Sequence, residues 1–359
     1  MRKYYPGITL FKLVGSLLVL IAHIMLLHYM TLLPGQQLVQ FTSLALRNVV
    51  PCFYVVAGFL AYKGWTHTAR RSAYMKRYIS RILLIYCFFC LIFVGQNIVP
   101  MLISDGLGFG NVFLQIKIII VAVFLTGPFI QFWFIPPLIF GMLAAYWLVQ
   151  KQQIRLAFIM ALSGFVFIQF ISGSLMNVSG INAESFPFLD AAYAEYLILF
   201  TTRYIGFGLT FVIAGVLLAK YEDVFLQIRA IPFLITTVLF SLAETLLLIR
   251  FSEWSTDYKL AFSVLPNTLL LFYGILRIRS NAIQTYHKFF SRFSLVTFFG
   301  HILFIQVNRY MLGWTSPELN MAQNFVLLFI TLIQCIAFTA LFSLKFKYFK
   351  TRQTKNISS

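Results

Sequence analysis

The sequence predicts an all-α polytopic membrane protein, a single bundle of about ten transmembrane helices with both termini cytoplasmic. Three observations predict it. Hydrophobic residues make up 60% of the 359 and charged residues only 11%, with a mean hydropathy of +0.85, whereas soluble domains carry about 25% charged residues. Apolar runs of about 20 residues, long enough to span the hydrocarbon layer, recur along the chain. The 28 basic residues, against 10 acidic ones, sit in short clusters between those runs. This composition excludes a water-soluble enzyme, a disordered chain and a fibrous protein.

The spanning runs fall near 8–30, 41–62, 79–99, 131–149, 156–173, 196–219, 231–249, 260–277, 292–312 and 321–344. The first has no small-residue cleavage site after it and is too long for a signal h-region, so it reads as a retained anchor. A further stretch, 111–127, is shorter and contains Lys117. With Arg2 and Lys3 inside and 111–127 not crossing, the inner segments collect Lys63, Arg70, Arg71, Lys76, Arg77, Arg81, Lys151, Arg155, Lys220, Arg229, Arg277, Arg279, Lys288 and Arg292. The outer loops then hold Arg250 and Lys259 together with Glu184, Asp190, Glu253, Asp257 and Glu318. A full crossing by 111–127 inverts everything after it, against the positive-inside rule. The segment is therefore expected to be re-entrant or interfacial, turning at Gly127-Pro128. Residues 1–344 read as one membrane domain and 345–359 as a basic cytoplasmic tail.

The net charge of +18 reads as topogenic charge facing anionic lipid, the bilayer being the partner. No nucleic-acid partner is expected, because no basic stripe interleaves with stacking aromatics. The four cysteines lie in apolar stretches; Cys87 and Cys90, at helical spacing, read as packing residues, and neither a disulfide nor a metal site is implied.

Ionisable side chains inside spans cost several kcal/mol unless they meet a partner or a cavity, so each is a functional candidate. They are Lys12, His23, Arg47, Arg203, Glu244, His301 and Arg309. Lys12 and His23 are eleven residues apart, which returns them to nearly one face about 16 Å apart along the axis. A cation at the inner mouth and a titratable base deep in the bilayer suit a ligand whose phosphates stay at that mouth while its reactive end reaches inward. A snorkelling lysine and a histidine bonded to a neighbouring helix are the plain alternative. His28 reads as interfacial. Arg77 and Arg81 stand at i,i+4 on the third helix, where forked donors can hold phosphate or simply set topology. Arg203 and Glu244 read either as substrate contacts or as a mutually neutralising pair. Gly206, Gly208 and Gly215 permit close helix packing. Trp133 and Phe134 open a helix as a sugar-stacking wall or as part of an aromatic belt. No Walker loop, GxSxG, HExxH or dinucleotide fingerprint is present.

The ordered motifs resemble those of the integral membrane acyltransferase-3 family of bacterial O-acyltransferases, close to the membrane domain of the vancomycin-resistance serine racemase. The family's basic residue, ten residues, then histidine is matched by Lys12 and His23. Its second-helix pattern is matched from Arg47 through Pro51 and Phe53 to Gly58-Phe59. The basic start of the third helix is matched by Met75-Lys-Arg77-Tyr-Ile-Ser-Arg81, and the WF pair by Trp133-Phe134. Arg203-Tyr-Ile-Gly206-Phe207-Gly208 with Gly215 and Ser294…Phe298…His301 complete the set. Departures are Lys12 for the usual arginine, RxxxR for RxxR, Ala57 for serine and Phe298 for tyrosine.

The resemblance implies a bacterial cytoplasmic-membrane O-acyltransferase. It transfers acyl groups other than aminoacyl groups, acetyl first among them, from cytoplasmic acyl-CoA to a hydroxyl of a cell-envelope glycan or lipid-linked sugar, a form of polysaccharide modification. It implies His23 as the general base or acyl-handling group. Lys12, Arg77 and Arg81 would hold the phosphates of acetyl-CoA, and no metal takes part. Arg47, Trp133, Arg203, Glu244 and His301 are candidate acceptor contacts, with His301 or Arg203 as oxyanion donor. A glycan exporter without acyl chemistry is the alternative reading; a ligand-sensing domain ranks below both.

Overall fold

A computed structural model of the chain describes residues 3–26, 40, 42, 46–179, 191–251, 260–314, 316 and 319–355. The described residues are mostly helical with no strand, and ten helices among them are long and apolar enough to cross a membrane. They are α1 (Pro6–Leu26), α2 (Val49–Thr66), α3 (Arg71–Asp105), α4 (Phe109–Thr126), α5 (Ile130–Gln150), α6 (Ile154–Ser172), α7 (Ala192–Lys220), α8 (Ala230–Phe251), α10 (His287–Met311) and α11, whose apolar part is Met321–Ser343. Between α8 and α10 lies the shorter α9 (Val264–Arg277). Arg2, Glu184, Asp190, Glu253, Asp257, Lys259 and Glu318, on which part of the charge argument rests, and His28, read as interfacial, lie outside the described residues.

The expected number of spans is met with one change of membership. The segment expected to be re-entrant is an unbroken helix of 18 residues, α4, about 27 Å long. The chain reverses before it at Gly106 and after it at Gly127, whose φ values of 80° and 85° suit glycine alone. Its Phe113, Leu114, Ile116, Ile120 and Phe124 are exposed, the surface of a helix made to face lipid. Conversely the expected span 260–277 is helical over only 14 residues, about 21 Å against the roughly 30 Å of a hydrocarbon core.

The chain divides into two compact units, residues 1–46 with 274–359, and residues 47–273. In the first, α1 packs along α10, and α10 along α11. Pro6 starts α1, where the missing N–H is no loss, and a Gly313 of φ 67° closes α10. Leu20 and Ile24 of α1 pack with Leu319 and Leu327, surrounded by Met25, Ile305, Trp314, Leu328 and Leu332.

In the second unit α7 is the central element, packed against α2, α5 and α6. Its glycines allow this, as their spacing suggested. A Cβ on Gly208 would strike the Pro137 carbonyl of α5, and one on Gly215 the Val55 carbonyl of α2. Small residues let backbones approach where no hydrophobic force separates helix from lipid. An ion pair at 2.7 Å joins Lys63 at the end of α2 to the buried Glu222 just after α7.

Candidate functional site

In the first unit, His23 and His301 meet. Thr297, His301 and Asn308 recur at spacings of four and seven on α10 and are all buried, with His301 at 0% exposure. This face presents His301 to α1, where the last turn widens to π-type geometry over Ala22–Leu26 and carries His23. Such widened turns concentrate at functional sites. The two rings stand 5.1 Å apart, centre to centre, inclined by 51°.

The backbone around each ring assigns its proton. Nδ1 of His23 lies 2.8 Å from the Val19 carbonyl. Nδ1 of His301 lies 2.8 Å from the Thr297 carbonyl and 3.1 Å from that of Phe298. A carbonyl oxygen only accepts, so both Nδ1 atoms carry hydrogen, and in the neutral rings both Nε2 atoms then carry a lone pair. The Nε2 of His301 then faces the Nδ1–H of His23 at 3.4 Å. The Nε2 of His23 has no partner among the described residues and is the one basic nitrogen of the pair left to act on something else.

Lys12 lies eleven residues before His23 on the same helix and is half-buried, beside a core face formed by Ile8, Phe11, Gly15 and Ser16. Among the described residues it has no carboxylate partner. Arg77 and Arg81 are exposed on the first turns of α3, opposite the buried Met75 and Ile79. None of the three is ion-paired to a carboxylate among the described residues. Arg47 sits in the turn just before α2 rather than within the helix.

The second unit holds Arg203, again in a π-type stretch, Thr202–Leu209 of α7. Its guanidinium donates through Nη1 to the Leu125 carbonyl at the end of α4. The guanidinium carbon lies 4.8 Å from the centre of the Trp133 ring, an arrangement favoured by the ring quadrupole. Trp133 also meets Phe207 at 5.1 Å, edge to face. The indole, read from sequence as either a sugar-stacking wall or part of an aromatic belt, meets a cation and packs against Phe207.

Glu244 is not the counter-ion of Arg203. Its carboxylate is buried and accepts from Phe262 N at 2.8 Å and Ser263 N at 2.7 Å, and from the Ser174 hydroxyl. The acceptors are used to hold the turn at Phe262 and Ser263 that leads into α9. Arg309 likewise serves the fold, donating to the Trp314 carbonyl at 3.4 Å and to that of Ser316, at the end of α10.

Sequence reasoning placed His301 in the interior without its partner, and it missed Thr297 and the Leu125 carbonyl. The recurrence of polar Ser294, Thr297, His301 and Asn308 along one helical face was the signal available for the former; a backbone carbonyl leaves none.

No curated protein and no solved structure matches the chain significantly. The family model for an acyltransferase domain, acyltransferase type 3, matches residues 5–340. That match covers every helix bearing a candidate residue, and the chain, a multi-pass helical membrane protein, belongs to the acyltransferase-3 family.

Proposed function

We propose that the protein is a membrane O-acyltransferase that moves a short acyl group, acetyl in the first instance, from cytoplasmic acyl-CoA to a hydroxyl of a cell-surface or lipid-linked glycan. The observation that supports this reading best is that Nε2 of His23, on the helix that also carries Lys12, has no partner among the described residues. His23 accepts the proton of the acceptor hydroxyl at Nε2 as the oxygen attacks the thioester carbonyl, and returns it to the departing CoA sulfur. A neutral imidazole suits this exchange near pH 7. Lys12, Arg77 and Arg81 hold the donor's phosphates, with the N-terminal end of α1 cytoplasmic. Arg203 binds the acceptor, and Trp133 orients its guanidinium. Glu244 takes no part, since its oxygens are committed to backbone.

The test is thiol release from acetyl-CoA by protein in nanodiscs supplied with crude envelope glycan. Wild type releases thiol, His23→Ala does not, and Lys12→Ala requires more acetyl-CoA. Glycan binding without thiol release from any short acyl-CoA, and wild-type behaviour of both variants, overturns the proposal in favour of an exporter.

A further inference from the structure

We infer that His301 is a positioning residue, which acts on the reaction through His23 rather than by touching either substrate. The inference rests on the acyltransferase reading. His301 is fully buried, and both its nitrogens are engaged. Nδ1 is directed to the Thr297 and Phe298 carbonyls at 2.8 and 3.1 Å, and Nε2 to Nδ1 of His23 at 3.4 Å. It has no N–H left to offer an oxyanion, which removes the donor role that its position first suggested.

The opposite proton arrangement fails on electrostatics. Were Nε2 of His301 the donor, Nδ1 of His23 would turn a lone pair toward the Val19 oxygen at 2.8 Å. Nδ1 of His301 would at the same time turn one toward two carbonyl oxygens. In the arrangement that satisfies every contact, the Nδ1–H of His23 lies between two acceptors, the Val19 carbonyl and the His301 lone pair. Two acceptors at one N–H hold the ring plane and keep Nε2 unprotonated, as a carboxylate does behind the histidine of hydrolytic triads. When Nε2 takes the hydroxyl proton, the positive charge spreads to Nδ1–H, and the same two acceptors stabilise it. The proton on Nδ1 stays in place throughout. The bonds that change are O–H and C–S broken and N–H and O–C formed, with the Nε2 proton then passed to sulfur. A neutral histidine does this where a carboxylate would carry a full charge into a buried helix interface.

Two measurements test it. The first is nitrogen-15 NMR of the protein in bilayers with labelled histidine, five residues in all, with His23→Ala and His301→Leu used to assign the pair. Protonated Nδ1 and bare Nε2 on both rings is the expected result, and an Nε2–H form of either ring overturns the inference. The second is steady-state kinetics. His301→Leu, which fills the site without a lone pair, is expected to lower kcat by up to about 100-fold, the lower end of a general base's own contribution, with the KM for acetyl-CoA unchanged. His301→Gln, whose amide oxygen accepts, is expected to recover most of the loss. Wild-type kcat in His301→Leu, or a loss that Gln leaves untouched in a protein melting like wild type, overturns it. If His301→Leu does not fold, the wild-type tautomers decide. If wild type transfers no acyl group, the acyltransferase reading falls, while the NMR result still reports on the pairing.

Discussion

Asn308 of α10 and Gln334 of α11 exchange both halves of their amides. Nδ2 of Asn308 donates to Oε1 of Gln334 at 3.0 Å, and Nε2 of Gln334 donates to Oδ1 of Asn308 at 2.7 Å. Nδ2 of Asn308 also reaches the Thr331 hydroxyl at 3.2 Å. The pair lies two turns beyond His301 on the same face of α10, and so fixes the rotation that points His301 at α1. Hydrogen bonds between helices in lipid are worth about 0.6 kcal/mol on average and up to about 1.7. A double-mutant cycle of Asn308→Ala and Gln334→Ala, read by unfolding in mild detergent, is expected to give a coupling in that range. A coupling indistinguishable from zero shows that the two amides do not hold α10 to α11.

Glu244 offers a second stability test. Its carboxylate accepts from two backbone N–H groups of the turn before α9, those of Phe262 and Ser263, and from the Ser174 hydroxyl. Hydrogen bonds to a charged group are worth about 1.5–3 kcal/mol each. Glu244→Gln turns an NH2 toward at least one donor and is expected to lower stability by about that amount, while thiol release per folded molecule stays at the wild-type level. Lost transfer at unchanged melting temperature, in thermal scans beside the activity assay, makes Glu244 a substrate contact instead.

The contrast between Glu244 and His23 shows what the sequence made legible. Spacing alone predicts Lys12 and His23 near one helix face, because eleven residues is just over three turns. Hydropathy located most spans, because lipid tolerates little but apolar helix. The partner of Glu244 was not legible, since the groups that satisfy it are backbone N–H atoms of residues 262 and 263, which carry no residue-type signature. The same holds for Arg203, whose acceptor is the Leu125 carbonyl. The crossing status of 111–127 was decided on charge, yet helix length is set by where Gly106 and Gly127 permit the chain to turn, and these leave 18 helical residues between them.

Arg203 and Trp133 carry a prediction about the acceptor. A guanidinium is planar, stacks on an aromatic face and still presents forked donors, whereas an ammonium does neither. A desolvated cation–π contact contributes about 2 kcal/mol, roughly thirtyfold in an equilibrium constant. Arg203→Lys and Trp133→Leu are each expected to raise the acceptor concentration needed for half-maximal thiol release by about that factor, leaving the acetyl-CoA requirement as in wild type. A change confined to the acetyl-CoA requirement assigns Arg203 to the donor side.

Lys12 separates binding from chemistry. Its ammonium is half-buried on α1 without a carboxylate partner among the described residues, a costly placement in a span unless an anion arrives to meet it. A charge-assisted hydrogen bond of about 1.5–3 kcal/mol corresponds to a roughly 10- to 100-fold rise in the KM for acetyl-CoA in Lys12→Ala, with kcat near wild type and most of the effect restored by Lys12→Arg. The identity of the anion is tested by shortening the donor. Acetyl-pantetheine keeps the thioester and the pantetheine arm but lacks every phosphate of acetyl-CoA. Wild type should use it with a raised KM, and Lys12→Ala should use it as well as wild type does, because the group that Lys12 holds has been removed from both reactions. A Lys12→Ala penalty that persists with acetyl-pantetheine places the lysine's contact on the arm, the thioester or the fold, and removes it from the phosphate site.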